Sequence, residues 1–404
     1  MSDTALKHIE HLSVVIGPRG SATPKEKEGH AYVQKTLSDL GCETRTETFL
    51  APTSTYTPFI LGLGVVLVAE ALFWFVGATP NASAGALAAA SLAIIATVSL
   101  VFEIWPADNP LRWFIPFAPS QNVIGVAPVG GFITHGEPKQ KIAVIAHVDS
   151  HRTPFIWQSR RTFAIYRVLT TLGFLSLAAL CVIFVIGIFS FLEPGSTLRT
   201  VSLIPTGFVA LAWLMVLQAH FTPFTPGAND NASGVGIMLA LAERVKQEPL
   251  KNSEVWWVAA GCEELSNPYG AADFVRRHRA EFENGRVVVV DNLAGKGADP
   301  TYLTGEGILI PLKYPPEMLA LAEQIVKEHP ELGGRAYAQQ GAFTDAAPAL
   351  KAGLKTIGFL GFTGEGWIPD WHNKSDVFAN VDADAVDRAE RFVWEVLKQL
   401  DERN

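Results

Sequence analysis

An α/β domain with a mostly parallel central sheet flanked by helices, interrupted by two apolar helical hairpins, is the architecture this sequence predicts. Three observations predict it. Short apolar runs alternate with segments of helical period, four long apolar stretches come in two close pairs, and metal-ligating residue types stand at the ends of the short runs.

Residues 24–40 (PKEKEGHAYVQKTLSDL) have helical spacing and stop at Gly41, a residue suited to a helix C-terminus, and the alternating strand ETRTETF follows. Past the first hairpin come NVIGVAP and KIAVIAH. Past the second come DNASGVGIMLALAERV, SEVWWVAAG, a helix around AADFVRRHRAEF, RVVVVDN, PPEMLALAEQIVKEH, LKTIGFLG and DAVDRAERFVWEVLKQL. Strands that alternate with helices in this way predict a parallel sheet covered on both faces. The expected organisation is 1–55 as the start of the α/β domain, 56–105 as hairpin 1, 106–162 as domain again, 163–219 as hairpin 2 and 220–404 as the remainder.

The four apolar stretches, roughly 58–77, 84–105, 165–192 and 201–219, are long enough to cross a bilayer, which takes about 20 apolar residues, so four transmembrane helices are expected. With 49% hydrophobic residues and a mean hydropathy of +0.21, some of the apolar surface is expected to face lipid. Glu70 is the one acid inside the first stretch, while Trp74, Trp105, Trp157 and Trp213 are placed as an interfacial belt would place them. Residues 78–83 and 193–200 are short enough to be turns between antiparallel helices. All remaining polar sequence then falls on one side. Arg45, Arg112, Arg152, Arg160 and Arg161 lie near helix ends on that side and Arg199 in a turn, so the polar domain and both termini are expected in the cytoplasm. The start, MSDTALKHIEH, lacks the basic-then-apolar pattern of a secretory leader.

A net charge of −8 and a pI near 5.7 give no basic footprint for nucleic acid. Cys42, Cys181 and Cys262 are odd in number and widely spaced, so neither a disulfide framework nor a thiolate metal site is expected.

Four local phrases carry metal chemistry: His147 and Asp149 in AHVDSH, Asp230 in GANDNASG, Glu263 and Glu264 in GCEELSNPYG, and His372 in WHNKSD. KIAVIA runs into His147, SEVWWVAAG leads to the two glutamates, and RVVVV delivers Asp291. Open α/β sheets place sites beyond the carboxyl ends of their strands, so these residues should converge in one crevice. A mixture of imidazoles and carboxylates suits zinc, and a glutamate next to a ligating glutamate suits a general base.

Together HVDS, GANDNASG, CEELSNPYGAADF, VVVVDN, TDAAPALKAG and HNKSD resemble the two-zinc aminopeptidases of the superfamily that also contains glutamate carboxypeptidase II and glutaminyl cyclases. The resemblance covers nearly everything outside the hairpins and implies a zinc-exopeptidase-like fold. It implies that His147 and Asp291 hold one zinc, Glu264 and His372 the other, that Asp230 bridges both, and that Glu263 is the general base. Asp149 would fix the His147 imidazole, and Asp376 would do the same beside His372. The chain departs from the pattern at Ala346, where the family usually carries His after Asp345, and at Trp371, where no tyrosine precedes His372. Tyr269, Tyr302 and Tyr337 are unplaced candidates for that hydroxyl.

The expected activity is that of a membrane-integral aminopeptidase acting on peptide substrates with two Zn2+. The 11 residues from position 219 to Asp230 reach at most roughly 36 Å, which tethers the site to the bilayer and favours membrane-associated peptides. Alternatives on the same scaffold are a glutaminyl-cyclase-like acyltransferase and a carboxypeptidase or N-acyl amino acid hydrolase, for which Lys296, Arg335 and Lys374 are the available cations. A non-catalytic receptor or transport subunit is the alternative of another class.

Overall fold

The structure, a computed structural model, describes residues 2–76, 81–105, 107, 109–130, 138–189, 197–308 and 310–403. The chain forms two compact units, one of Met1–Thr53, Phe117–Arg152 and Phe224–Asn404, the other of Ser54–Pro116 and Thr153–Pro223.

In order, the helices and strands are α1 (Ser2–Glu10), α2 (Pro24–Leu40), β1 (Glu43–Pro52), α3 (Thr57–Phe75), α4 (Ala82–Ile104), β2 (Phe117–Ala127), β3 (Gln140–His147), α5 (Arg160–Phe189) and α6 (Thr197–His220). There follow α7 (Ser233–Gln247), β4 (Ser253–Ala260), α8 (Tyr269–His278), β5 (Arg286–Val290), β6 (Asp299–Gly307), β7 (Leu312–Lys313), α9 (Pro316–Glu328), β8 (Arg335–Gln340), α10 (Ala346–Lys351), β9 (Lys355–Phe362) and α11 (Ala383–Glu402).

The first unit is a mixed α/β fold around one sheet, in the order β1-β2-β4-β3-β5-β9-β6-β7 with β8 beside β6. Its centre is parallel: β4 with β3, β3 with β5, β5 with β9. Its margins are more antiparallel than expected, through β1–β2, β2–β4, β6–β9 and β6–β7, with β6–β8 alone parallel there. The central strands explain themselves. Ile142, Val144 and Ala146 of β3 join the core on one face, packed with α1, α7 and α11, while Ala143 and Ile145 join the core under α8 and α10. The same alternation runs through Val288 and Val290 against Val287 and Val289, which is why these strands read as unbroken apolar runs. Gly41 ends α2 as expected, in the left-handed region at φ 99° with its N–H on Leu37.

Among the described residues, the second unit holds four helices long and apolar enough to cross a membrane: Thr57–Phe75, Ala82–Ile104, Arg160–Phe189 and Thr197–His220. Helix α3 packs on α4 and α6, and α5 on the same two, so the four close a bundle. Its interior uses small residues, Ala86, Ala89, Ala90, Ala93 and Ala96 of α4, which let the helices approach closely. Val68, Ile95, Val182, Phe189, Ile204 and Leu214 instead point outward and are exposed. Glu70 is buried and accepts from Ser202 Oγ at 2.7 Å, linking α3 to α6.

Details differ from the sequence expectation. Arg199 lies in α6 rather than in a turn; it is buried, donates to the Trp74 carbonyl and stacks over that indole. Trp213 lies within α6 rather than at its end, its Nε1 donating to Ile60 at 3.1 Å. Residues 107, 109–116, 153–162 and 220–223, assigned above to the α/β domain, group with the helices. For 109–116 the reason is that Arg112 Nε (2.9 Å) and Asn109 Nδ2 (2.7 Å) both donate to the buried Glu103 carboxylate of α4. Of the two expected turns, 77–80 and 190–196 lie outside the described residues, and 197–200 is helix.

Candidate metal centre

The parallel strands deliver the site. His147 is the last residue of β3, Asp291 follows β5 directly, Glu263 and Glu264 sit just past β4, and His372 sits in the loop after β9. Asp230 lies in the turn that enters α7. All six side chains come together and all are largely buried.

Getting them there takes unusual backbone. Cys262 (φ 56°), Asn292 (φ 54°) and His372 (φ 52°) adopt left-handed conformations without being glycine, and each is a metal-ligand candidate or flanks one. Strain of this kind persists only where surroundings enforce it, and it concentrates at functional sites. Gly234 is required for packing: a Cβ there would meet the Val290 carbonyl at 2.3 Å, so α7 could not lie against β5.

The surrounding polar residues explain the motif spelling. Asn231 Nδ2 donates to Val290 O (3.0 Å) and its Oδ1 accepts from Gly234 and Asn292 N–H. Asn229 Oδ1 accepts from Ala294 N–H at 2.8 Å. Both asparagines thus pin the Asp230 turn to the end of β5. Asp149 lies 3.4 Å from His147 Nδ1 and also takes the backbone N–H groups of Glu263 (3.1 Å) and Glu264 (3.2 Å) and the Ser21 hydroxyl (2.6 Å). Asp376 differs from its expected position beside the His372 imidazole. Its two oxygens accept from the N–H groups of Asn229 (2.6 Å) and Asp230 (3.1 Å), because the loop after β9 runs under that turn.

The donor atoms fall into two groups that share one carboxylate. Asp230 Oδ1 is 3.4 Å from His147 Nε2, which is 3.3 Å from Asp291 Oδ1. Asp230 Oδ2 is 3.3 Å from His372 Nε2, which is 3.2 Å from Glu264 Oε2. Four donors placed tetrahedrally at 2.0–2.2 Å from zinc lie roughly 3.3–3.6 Å apart, so both groups have the spacing of ligands around an ion. Asp230 Oδ2 and Glu264 Oε1 are buried and accept no hydrogen bond, which is costly unless a cation is their partner. The residues present therefore fit metal ions.

Electrostatics without metal point the same way. Burial alone would lower the His147 imidazole, but the carboxylates of Glu263 and Asp291 raise it well above its usual value. Burial, then the neighbouring acids, push Glu263 and Glu264 well up. Burial would also raise Asp230, yet attraction to His147 and His372 holds it below the usual carboxylate range. So many buried acids cannot all ionise together unless cations offset them. Asp345, raised by burial to about 8, adds to that crowding.

Sequence reasoning missed three contributors. Glu26, buried in the first turn of α2, accepts from Cys262 N–H (2.8 Å), Ser120 Oγ (2.8 Å) and Ala22 N–H (2.9 Å); the spelling Thr23-x-x-Glu26 has the pattern of a capping box, but only the Thr23 half forms, its hydroxyl accepting from the Glu26 N–H at 3.4 Å. Arg19, fully buried, gives its guanidinium to the carbonyls of Leu12, Gly17, Val148, Pro226 and Gly227, tying the N-terminal segment to the loops that bear His147 and Asp230. His151 stacks on His372 with ring centroids 3.6 Å apart. Of the residues left unplaced, Arg335 is engaged by the carbonyls of Phe362 and Thr363 and does not offer a carboxylate clamp. Tyr337 Oη reaches the Gly366 carbonyl at 3.5 Å.

The fold and this donor set define a zinc-exopeptidase-like α/β protein. Over residues 212–397 the sequence matches the profile of peptidase family M28, a stretch that includes Asp230, Glu263, Glu264, Asp291 and His372 but not His147. A curated relative, Aminopeptidase YwaD of Bacillus subtilis, is 39% identical over 82 residues, which are 20% of this chain and 17% of the relative. In structure the chain is similar to a zinc aminopeptidase from Bacillus subtilis (TM-score 0.58, 15% identity, 99% of this chain and 95% of that one). It is equally similar to a leucine aminopeptidase precursor (TM-score 0.58, 14% identity, 98% and 97%) and a glutaminyl cyclase bound to N-acetylhistamine (TM-score 0.58, 15% identity, 98% and 97%), both from Bacteroides thetaiotaomicron. The chain thus shares the fold of these zinc aminopeptidases and of the glutaminyl cyclase.

Proposed function

We propose that the protein is an integral-membrane zinc aminopeptidase that hydrolyses the N-terminal bond of peptides with two metal ions. The observation that carries this reading is the division of one carboxylate: Asp230 presents one oxygen to His147 and the other to His372. His147, Asp291 and Asp230 would hold one zinc, and His372, Glu264 and Asp230 the other. Bound there, the ions supply polarisation of the scissile carbonyl and a lowered pKa for the attacking water. Glu263 takes the proton from that water and hands it to the leaving amine. Its Oε2 lies 3.8 Å from His147 Nε2, and its backbone is held by Asp149. Asp149 keeps the His147 ring oriented and both glutamates in register, and Asp376 does the same for the Asp230 turn.

The named aminopeptidases among the similar proteins support this substrate class. The four apolar helices support insertion in a bilayer, and the excess of Arg45, Arg152, Arg160 and Arg161 over Arg199 supports a cytoplasmic metal-bearing unit. The short tether between the last helix and Asp230 favours peptides that are themselves membrane-associated.

The test is metal content by mass spectrometry on detergent-purified protein, wild type beside Glu263→Gln, coupled to a panel of free, N-acetylated and Gln-starting peptides. Two metals in both proteins, with cleavage of free termini lost only in the variant, is the expected result. Cyclisation of the Gln-starting peptide with one metal would replace this reading by the cyclase, and protein without metal would replace it by the receptor.

A further inference from the structure

Beside the donors assigned above stands His151, a buried imidazole with no role in that scheme. Its Nδ1 lies 2.7 Å from the Arg152 carbonyl, which can only accept, so that nitrogen carries the proton and the neutral ring has its lone pair on Nε2. An imidazole whose one N–H is anchored on a backbone carbonyl is the usual form of a metal-ligating histidine. The loop is held in place as well, by the Thr225 N–H on the His151 carbonyl at 2.9 Å and by Arg152 stacked over Phe224 at 4.2 Å. One ligand atom from each of His151, Glu264 and His372 falls within 4.8 Å of the others.

Building on the two-metal reading above, we propose that His151 is a further ligand of the position formed by Asp230, Glu264 and His372. The two metal positions then differ. The first has three protein donors, His147, Asp291 and Asp230, and the second has four. Four protein donors describe a closed site, and three describe one with a place left for water. Glu263 stands with the first group, a ligand atom of it lying within 4.8 Å of those of His147 and Asp291. The base and the open coordination place therefore coincide, and the second ion holds the site together. Sharing one ion requires the near-parallel stack, interplanar angle 16°, to open by rotation of the His372 ring about χ2, a soft torsion, while His151 stays on its Nδ1 anchor.

The experiment titrates zinc, against a chromophoric chelator, into metal-stripped, detergent-purified full-length protein, using wild type, His151→Phe and His151→Gln. Phenylalanine keeps a flat ring on His372 but has no nitrogen; glutamine keeps a polar donor and is the second variant should the first fold poorly by circular dichroism. Wild type should bind two ions. Each variant should keep one at wild-type affinity and bind the other more than about 100-fold more weakly, beyond the roughly 10- to 100-fold lost with a residue that only orients a ligand, with a matching change in the absorption of the cobalt-substituted protein. Both ions held within about twofold of wild type by either folded variant would overturn the proposal and leave His151 a stacking partner alone. A wild type that binds fewer than two ions would fail the two-metal function itself, independently of what the variants do, and the role of His151 would fall with it.

Discussion

Replacing Asp149 by Asn changes a single atom at the most heavily used carboxylate of the metal centre. Asp149 is fully buried, with Oδ1 on the Glu263 N–H at 3.1 Å and near His147 Nδ1 at 3.4 Å, and Oδ2 on the Glu264 N–H at 3.2 Å and the Ser21 hydroxyl at 2.6 Å. An asparagine presents an NH2 in place of one oxygen. Whichever way the amide turns, the N–H of Glu263 or of Glu264 loses its acceptor and faces another donor, while His147 loses the adjacent anion. A hydrogen bond to a charged group contributes about 1.5–3 kcal/mol, so one such loss corresponds to roughly a 10- to 100-fold effect. We expect a drop of that size in zinc affinity, read by chelator competition, and in kcat/KM on a peptide with a free N-terminus. Near-native circular dichroism should persist, since Ser21 can rotate to accept from the amide. Zinc affinity and kcat/KM both within about twofold of wild type would refute the reasoning, because Asp149 would then only fill space.

Three other outcomes are expected. Burial raises Glu306 to about 7 despite hydrogen bonds from Tyr314 and Thr344, so the folded chain retains a proton that the unfolded chain releases near its ordinary value of 4.5. The stabilisation is complete below about 4.5 and lost as pH rises through 7, up to about 3 kcal/mol; Glu306→Gln should flatten the pH dependence of Tm in metal-free protein over that window, and an unchanged slope would contradict it. Gly234→Ala should destabilise the first unit by about 1–3 kcal/mol or more, since the added methyl meets the Val290 carbonyl, and chemical denaturation with unchanged midpoint would count against the close approach. Arg19→Met removes a donor from five carbonyls, of which those of Leu12 and Gly227 keep the N–H of Gly17 and Ala232, and should cost roughly 1–3 kcal/mol for each buried carbonyl left without a partner, seen as protease sensitivity of the N-terminal segment; wild-type protease resistance would show that the clamp is dispensable.

Much of this architecture was legible in the sequence because it is written locally. KIAVIAH, SEVWWVAAG and RVVVV are apolar on both faces, and a strand buried on both sides must be so; each also ends where its chemistry begins, at His147, Glu263 and Asp291. The apolar helices are equally local, since length and composition suffice. The strands β6 and β8 were not legible: DPTYLTGEG contains proline and glycines, and RAYAQQ is half exposed, so neither shows a period. In the structure β6 pairs with β9 and β8 pairs with β6, contacts between segments far apart in sequence.

At the site the division is similar. Residue types and their order along the chain named the ligand candidates, because zinc chemistry demands imidazole and carboxylate whatever the fold. Only the tertiary structure decided the rest. It split the Asp230 carboxylate between two histidines and moved Asp376 from an imidazole to two backbone N–H groups. It also brought Arg19, Glu26 and His151 from distant or unremarked positions into the same buried space. Those placements depend on desolvation and on contacts between segments far apart in sequence, such as Glu26 with Cys262 and Arg19 with Gly227. A local phrase records what a residue can do chemically, whereas which partner it meets is set by the packing of the whole sheet.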